Sequence, residues 1–192
     1  MKLIANVFLI SLLFACNYSN AQRDRVFKSI EEALTVPADS VYRLDLSKNK
    51  LTEVPKEIMQ FKYLQELNLA KNKLTEIPAF FDFEDLRILD LSKNDFTEFP
   101  VQVCKVVSIR NLFLGKNDIK VIPDEIGNMQ SLIVLDLWYN PIDDLPEALT
   151  KLRNLRSLDL SGLNFSKTFQ KEWNEKLSWV KIEFEAACDC NN

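Results

Sequence analysis

From Val41 onward the apolar positions of this chain fall into a motif that recurs about every 23 residues. It can be written L-x-x-L-x-L-x-x-N-x-L-x-x-I-P, as in Leu64, Leu67, Leu69, Asn72, Leu74, Ile77 and Pro78. Asn49, Asn72, Asn94, Asn117 and Asn140 follow one another at intervals of 23, 22, 23 and 23 residues, and Pro55, Pro78, Pro100, Pro123 and Pro146 keep the same four intervals. Two unrelated residue types sharing one period mark a repeat array. Units begin at Val41, Leu64, Leu86, Ile109, Leu132 and Leu155, and the second is one residue short.

Within each unit, L-x-L alternates buried and exposed positions and predicts a strand of about three to five residues with one face in the core. The Asn that follows predicts a turn whose side chain bonds backbone groups of adjacent coils, satisfying polar groups that a tight coil would otherwise bury. The second half of each unit supplies the other side of the core, through Ile58 and Phe61, Phe81 and Phe83, Val103 and Val106, Ile126 and Met129, and Leu149 and Leu152. A spacing of about three, just after a proline, predicts a short helical or 3-10 turn. The short second unit, with its phenylalanines, predicts an irregular loop there.

A repeat array exposes its core at both ends and needs caps. Val26, Phe27, Ile30, Ala33 and Leu34 predict a capping helix over 24–34 that Pro37 stops, within an N-terminal segment 22–40. The repeats occupy 41–165, and in the sixth Leu163 stands where the Asn would be. A C-terminal cap over 166–184 combines a helix bearing Phe169, Trp173 and Leu177 with a strand bearing Val180, Ile182 and Phe184. Residues 185–192 form a cysteine-containing tail.

These units resemble the leucine-rich-repeat family, five in full and a sixth degenerate. The resemblance implies an α/β fold class: a right-handed solenoid with a concave parallel sheet and a convex side of short turns. It also implies a non-catalytic module that binds a protein or peptide. Alternatives are a structural or adhesive protein without a specific concave-face ligand, and a glycan binder.

Met1 and Lys2 followed by the apolar run from Leu3 to Ala15 read as a secretory signal, too short at 13 residues for a permanent membrane span. Two cleavage sites compete. Leu13-Phe14-Ala15-Cys16 resembles a bacterial lipoprotein signal, with Phe14 bulkier than usual, and would leave a lipidated Cys16 after residues 1–15. Ser19-Asn20-Ala21 would instead release a free protein after residues 1–21. Either reading exports the protein to the envelope, cell surface or exterior, with membrane attachment only through the Cys16 lipid.

Composition removes several functions. With 24 Lys plus Arg against 28 Asp plus Glu the net charge is −4, which offers no basic excess for a nucleic-acid backbone. The chain has no His, hence no common general base or usual metal ligand. No Gly-rich phosphate loop or catalytic constellation is present, so no enzyme activity and no cofactor are expected. Cys104 reads as a buried filler. Cys188 and Cys190, with one residue between them, would form a strained mutual disulfide, so pairing elsewhere or staying free is as compatible with the sequence.

The column between the strand leucines runs Asp45, Asn68, Asp90, Phe113, Asp136, Asp159, and the two after them run Ser47, Ala70, Ser92, Gly115, Trp138, Ser161 and Lys48, Lys71, Lys93, Lys116, Tyr139, Gly162. Acids beside lysines predict a self-neutralised polar face in the early repeats, since strands stand about 4.8 Å apart. Phe113, Trp138 and Tyr139 break this pattern, with Val134 and Ile88 nearby. An aromatic cluster rimmed by charge has the composition of an interface hot spot. The candidate partner-binding residues are therefore Phe113, Trp138, Tyr139, Asp136, Asp90, Lys116 and Val134. A competing reading folds Trp138 and Tyr139 over the rim onto Pro141 or the cap.

Overall fold

The computed structural model describes residues 23–79 and 81–185; the signal segment, Cys16, Cys188 and Cys190 lie outside them. Eight parallel strands form one open sheet in strict chain order: β1 (Val26–Phe27), β2 (Arg43–Asp45), β3 (Glu66–Asn68), β4 (Ile88–Asp90), β5 (Asn111–Phe113), β6 (Val134–Asp136), β7 (Ser157–Leu160) and β8 (Lys181–Phe184). Each strand pairs with the next in a constant register, so Leu44, Leu67, Leu89, Leu112, Leu135, Leu158 and Ile182 form one row. All of that row except Ile182 is buried. The leucines point inward, and the residues on either side of them face out on the concave side.

Opposite the sheet, 3-10 turns run over Lys56–Gln60, Val101–Lys105, Asp124–Asn128 and Glu147–Lys151. Pro55, Pro100, Pro123 and Pro146 precede them. The proline carbonyl accepts the N–H three residues on, as in Ile58 to Pro55 at 3.2 Å and Val103 to Pro100 at 2.9 Å. Proline lacks only a donor that the first turn would leave unused. The short second unit keeps the Phe81 to Pro78 bond at 3.0 Å without a 3-10 turn, and packs Phe81 edge-on against Phe83.

Stacked asparagines tie the coils together. Asn117 donates from Nδ2 to the carbonyls of Leu91, one repeat back, and Leu114, at 3.2 and 2.7 Å, while its Oδ1 accepts from the N–H groups of Asn94 and Phe96 at 3.1 and 3.3 Å. Asn72, Asn94 and Asn140 are likewise buried and donate to the same two carbonyl positions of their own and the preceding coil. Asn49 is not a working member of this ladder. It is exposed, because no preceding repeat offers it carbonyls, and only its N–H takes part, donating to Asn72 Oδ1 at 2.9 Å.

The N-terminal cap departs from the helix predicted over 24–34. Val26 and Phe27 form β1, paired to Arg43 and Leu44, and α1 is limited to Ile30–Ala33. Ser29 starts it, its hydroxyl accepting from the Glu32 N–H at 3.1 Å, while Glu32 accepts the Lys28 N–H at 2.8 Å. A strand covers the backbone edge of β2, which a helix could not pair. Phe27 is wholly buried from that strand, and Leu34, counted on the helix's apolar face, is exposed. At the other end α2 (Lys167–Lys176), capped by Ser166, seats Trp173 in the core, and β8 adds the last strand. Among the described residues no helix is long and apolar enough to cross a membrane.

Candidate functional site

Register alone aligns the outward side chains. One concave row is Asp45, Asn68, Asp90, Phe113, Asp136, Asp159 and Glu183, and its neighbour is Arg43, Glu66, Ile88, Asn111, Val134, Ser157 and Lys181. Phe113 thus stands directly between Asp90 and Asp136, with Ile88 and Val134 in the adjacent row on the flanking strands. All five are half-buried.

After each strand the chain must leave the sheet, and it does so through a left-handed residue. Lys48, Lys71, Lys93, Lys116 and Tyr139 have φ between 54° and 62°, and Gly162 in the sixth repeat has φ 79°. Non-glycine residues adopt this conformation only under compensation, which the ladder bonds immediately following supply. Once the backbone has turned, these side chains no longer follow the strand's alternation.

Trp138 and Tyr139 are not folded onto the cap as a pair. The indole lies back across Gly115, where a Cβ would come within 2.0 Å of its Cδ1 and Nε1, and the phenol ring lies forward across Gly162, where a Cβ would come within 2.4 Å of Cδ2. The two rings meet nearly edge to face, 5.6 Å between centroids. Tyr139 remains 61% exposed and Trp138 is half-buried. The sequence reading missed Gly115 as part of this arrangement. Its signal was present: one of only three glycines, it stands in a Ser/Ala column one repeat before the tryptophan.

The lysine column does not neutralise the aspartates as predicted. Lys93 and Lys116 sit over the Trp138 ring at 5.7 and 5.3 Å from its centroid, and Lys116 is 5.6 Å from that of Tyr139. These are cation–π distances. Asp45 takes its cation from the cap instead, Lys28 at 2.6 Å, and Glu66 takes Arg43 at 2.7 Å. Asp90, Asp136 and Asp159 make no ion pair among the described residues. Each turns an oxygen back onto the N–H two residues on, those of Ser92, Trp138 and Ser161 at 2.9, 3.2 and 2.9 Å.

Charge without a partner shows in the titration of Asp136. Burial, joined by repulsion from Asp159 and Asp90, pushes the Asp136 carboxyl up to about 6 against the pull of the Trp138 N–H. Burial would also raise Asp45, but hydrogen bonds from Lys28 and Ser47 outweigh it and hold that carboxyl below its usual value. On the far side of the coil, burial, with Glu125 adding to it, pushes the Cys104 thiol up to about 12.

The concave patch is an open surface. A groove of about 800 Å³ lies instead on a flank, lined by Phe99, Val101, Val121, Pro123 and Pro141 among others. An open apolar patch with charged edges suits a macromolecular or peptide contact better than an enclosed small molecule.

Comparison with known proteins bears on the repeats. A model described as leucine rich repeat matches residues 39–96, and one described as leucine-rich repeat region matches 77–171. Among solved structures, a leucine-rich-repeat protein of Leptospira interrogans is 29% identical with a TM-score of 0.71, covering 85% of this chain and 47% of that one. An internalin of Listeria monocytogenes is 18% identical with a TM-score of 0.63, covering 84% of this chain and 47% of its own, a likeness of fold alone. The chain spans about half the length of these structures. No curated protein matches it significantly in sequence.

Proposed function

Because the chain belongs to the leucine-rich-repeat proteins, a fold used for protein interaction, we propose that it is a non-catalytic module that captures a protein or peptide on its concave face. One observation carries this reading: Ile88, Phe113 and Val134, on neighbouring strands of one face, and Trp138 and Tyr139, just beyond the last of those strands, depart together from the polar columns of the other repeats. Glycines clear room for the two largest rings. Core packing does not require this, since the inward leucines are already buried.

The module works at the cell envelope or exterior. The N-terminal apolar run supports export, and the sequence before Cys16 supports a lipid anchor. Metabolic labelling with a palmitate analogue should mark the wild-type protein and not Cys16→Ala. A Cys16→Ala protein still in the membrane fraction would count against the anchor.

The binding reading is tested by reverting the patch to the residues of the other repeats. Trp138→Ser with Tyr139→Lys restores the Ser and Lys columns. Capture of a partner from envelope extracts should be lost with the melting temperature little changed. Capture that survives the reversion would favour a structural or adhesive protein acting through another surface.

A further inference from the structure

The concave patch combines an apolar floor with carboxylates that lack counter-ions, and this combination selects the charge of what it can hold. Asp90, Phe113, Asp136 and Asp159 stand side by side in register. At about 4.8 Å per strand, Asp90 and Asp136 are about 10 Å apart with the Phe113 ring between them. That separation is too wide for one metal ion with ligands at about 2.3–2.6 Å. The nearby lysines, Lys93 and Lys116, are engaged on Trp138, and Lys181 is paired with Glu183 and interacts with Asp159 rather than with the acids beside Phe113. The acids closest to Phe113 therefore face outward uncompensated, beside a ring whose face attracts cations. The raised titration of Asp136 fits the same picture, because like charges and partial burial disfavour a carboxylate with no cation beside it.

Building on the concave-face reading, we propose that this patch seats an arginine side chain from an extended segment of the partner, its guanidinium over Phe113 between Asp90 and Asp136, its stem against Ile88 and Val134. Arginine fits better than lysine because its flat, weakly hydrated fork stacks on a ring while its in-plane N–H groups point outward toward the acids on either side. An anionic segment would meet Asp90 and Asp136 with no cation beside them. A purely apolar one would leave them desolvated without a partner.

The test uses four capped pentapeptides, glycines flanking a central arginine, lysine, norleucine or glutamate, titrated into the full chain and followed by amide chemical shifts. The arginine peptide should bind most tightly and shift resonances around Phe113, with lysine weaker and glutamate weakest. Asp136→Asn is the informative variant. Asn68 stands in the same row and already makes the same turn, accepting the Ala70 N–H at 2.9 Å, so asparagine is compatible with the fold there. Asp90→Asn with Asp136→Asn should weaken the arginine peptide about tenfold while leaving the norleucine peptide unchanged. Phe113→Ser should weaken both.

No measurable shift with the arginine peptide, equal binding of all four peptides, or arginine binding untouched by the two asparagine substitutions would each overturn the inference. If peptides bind alike while the Trp138→Ser, Tyr139→Lys protein loses its natural partner, the arginine seat falls and the concave-face reading stands. If the arginine seat is found and that reversion leaves natural capture intact, the seat stands and the wider reading falls.

Discussion

Replacing Asn117 by Ala tests the ladder, because an identical substitution at Asn49 provides an internal control. Asn117 closes four hydrogen bonds, to the carbonyls of Leu91 and Leu114 and from the N–H groups of Asn94 and Phe96. Asn117 and Asn94 are buried, so water does not readily take over. A buried backbone group left without a partner costs about 1–3 kcal/mol. The four are not independent, so a total of about 3–5 kcal/mol is expected. For a chain of this size that lowers the melting temperature by about 10 °C. Asn49→Ala removes an exposed side chain whose acceptor and donor are not used, and should cost under about 0.5 kcal/mol. Differential scanning calorimetry on both variants decides the matter. Equal losses, or a loss below about 1 kcal/mol for Asn117→Ala, would refute the claim that cross-coil bonding rather than turn propensity holds the asparagine positions.

Other consequences can be checked in the same way. Gly115→Ala places a methyl within 2.0 Å of the Trp138 ring; it should destabilise by about 1–3 kcal/mol and red-shift tryptophan emission, and the penalty should largely vanish in a Trp138→Ser background. A double-mutant cycle with no coupling would contradict the packing described. Asp136 has a folded-state titration raised to about 6, so the folded form holds its proton more tightly than the unfolded chain. Its contribution is least unfavourable below the unfolded value of about 4, worsens as pH rises to about 6, and stays unfavourable above that. Asp136→Asn should therefore raise the melting temperature at pH 7 and change it little at pH 3.5, with Asp90, Asp159, Lys93 and Lys116 left in place around it; a gain independent of pH would refute this. Cys104, buried with its thiol pushed up to about 12, should resist iodoacetamide at pH 8 in the folded protein and react fully in urea, as read by peptide mass mapping.

Much of this architecture is written locally. The L-x-L strands, the prolines before the 3-10 turns, the irregular loop of the shortened second unit and the helix and strand after Ser166 all follow from residues within one coil. Each coil touches only its neighbours, so burial repeats with the period and becomes readable as pattern. Phe113, Trp138 and Tyr139 were legible for the converse reason, as breaks in otherwise polar columns. Val26 and Phe27 were not, because a short apolar stretch satisfies helical spacing and strand pairing alike. Only the free edge of β2 decided between them.

The same limit governs the rest of the site. Asn49 and Asn117 are the same residue in the same motif, and they differ because only one has a coil before it to bond. Lys93 and Lys116 could reach aspartates or an indole from any list of side chains. A left-handed backbone and the space above Gly115 put the indole beside them. Sequence alone determined the coil, its inward faces and where its outward pattern breaks, since those are set by contacts that recur within each repeat. Tertiary structure decided which charges are spent and which remain free, since that depends on side chains from different coils competing for the same few ångströms of surface.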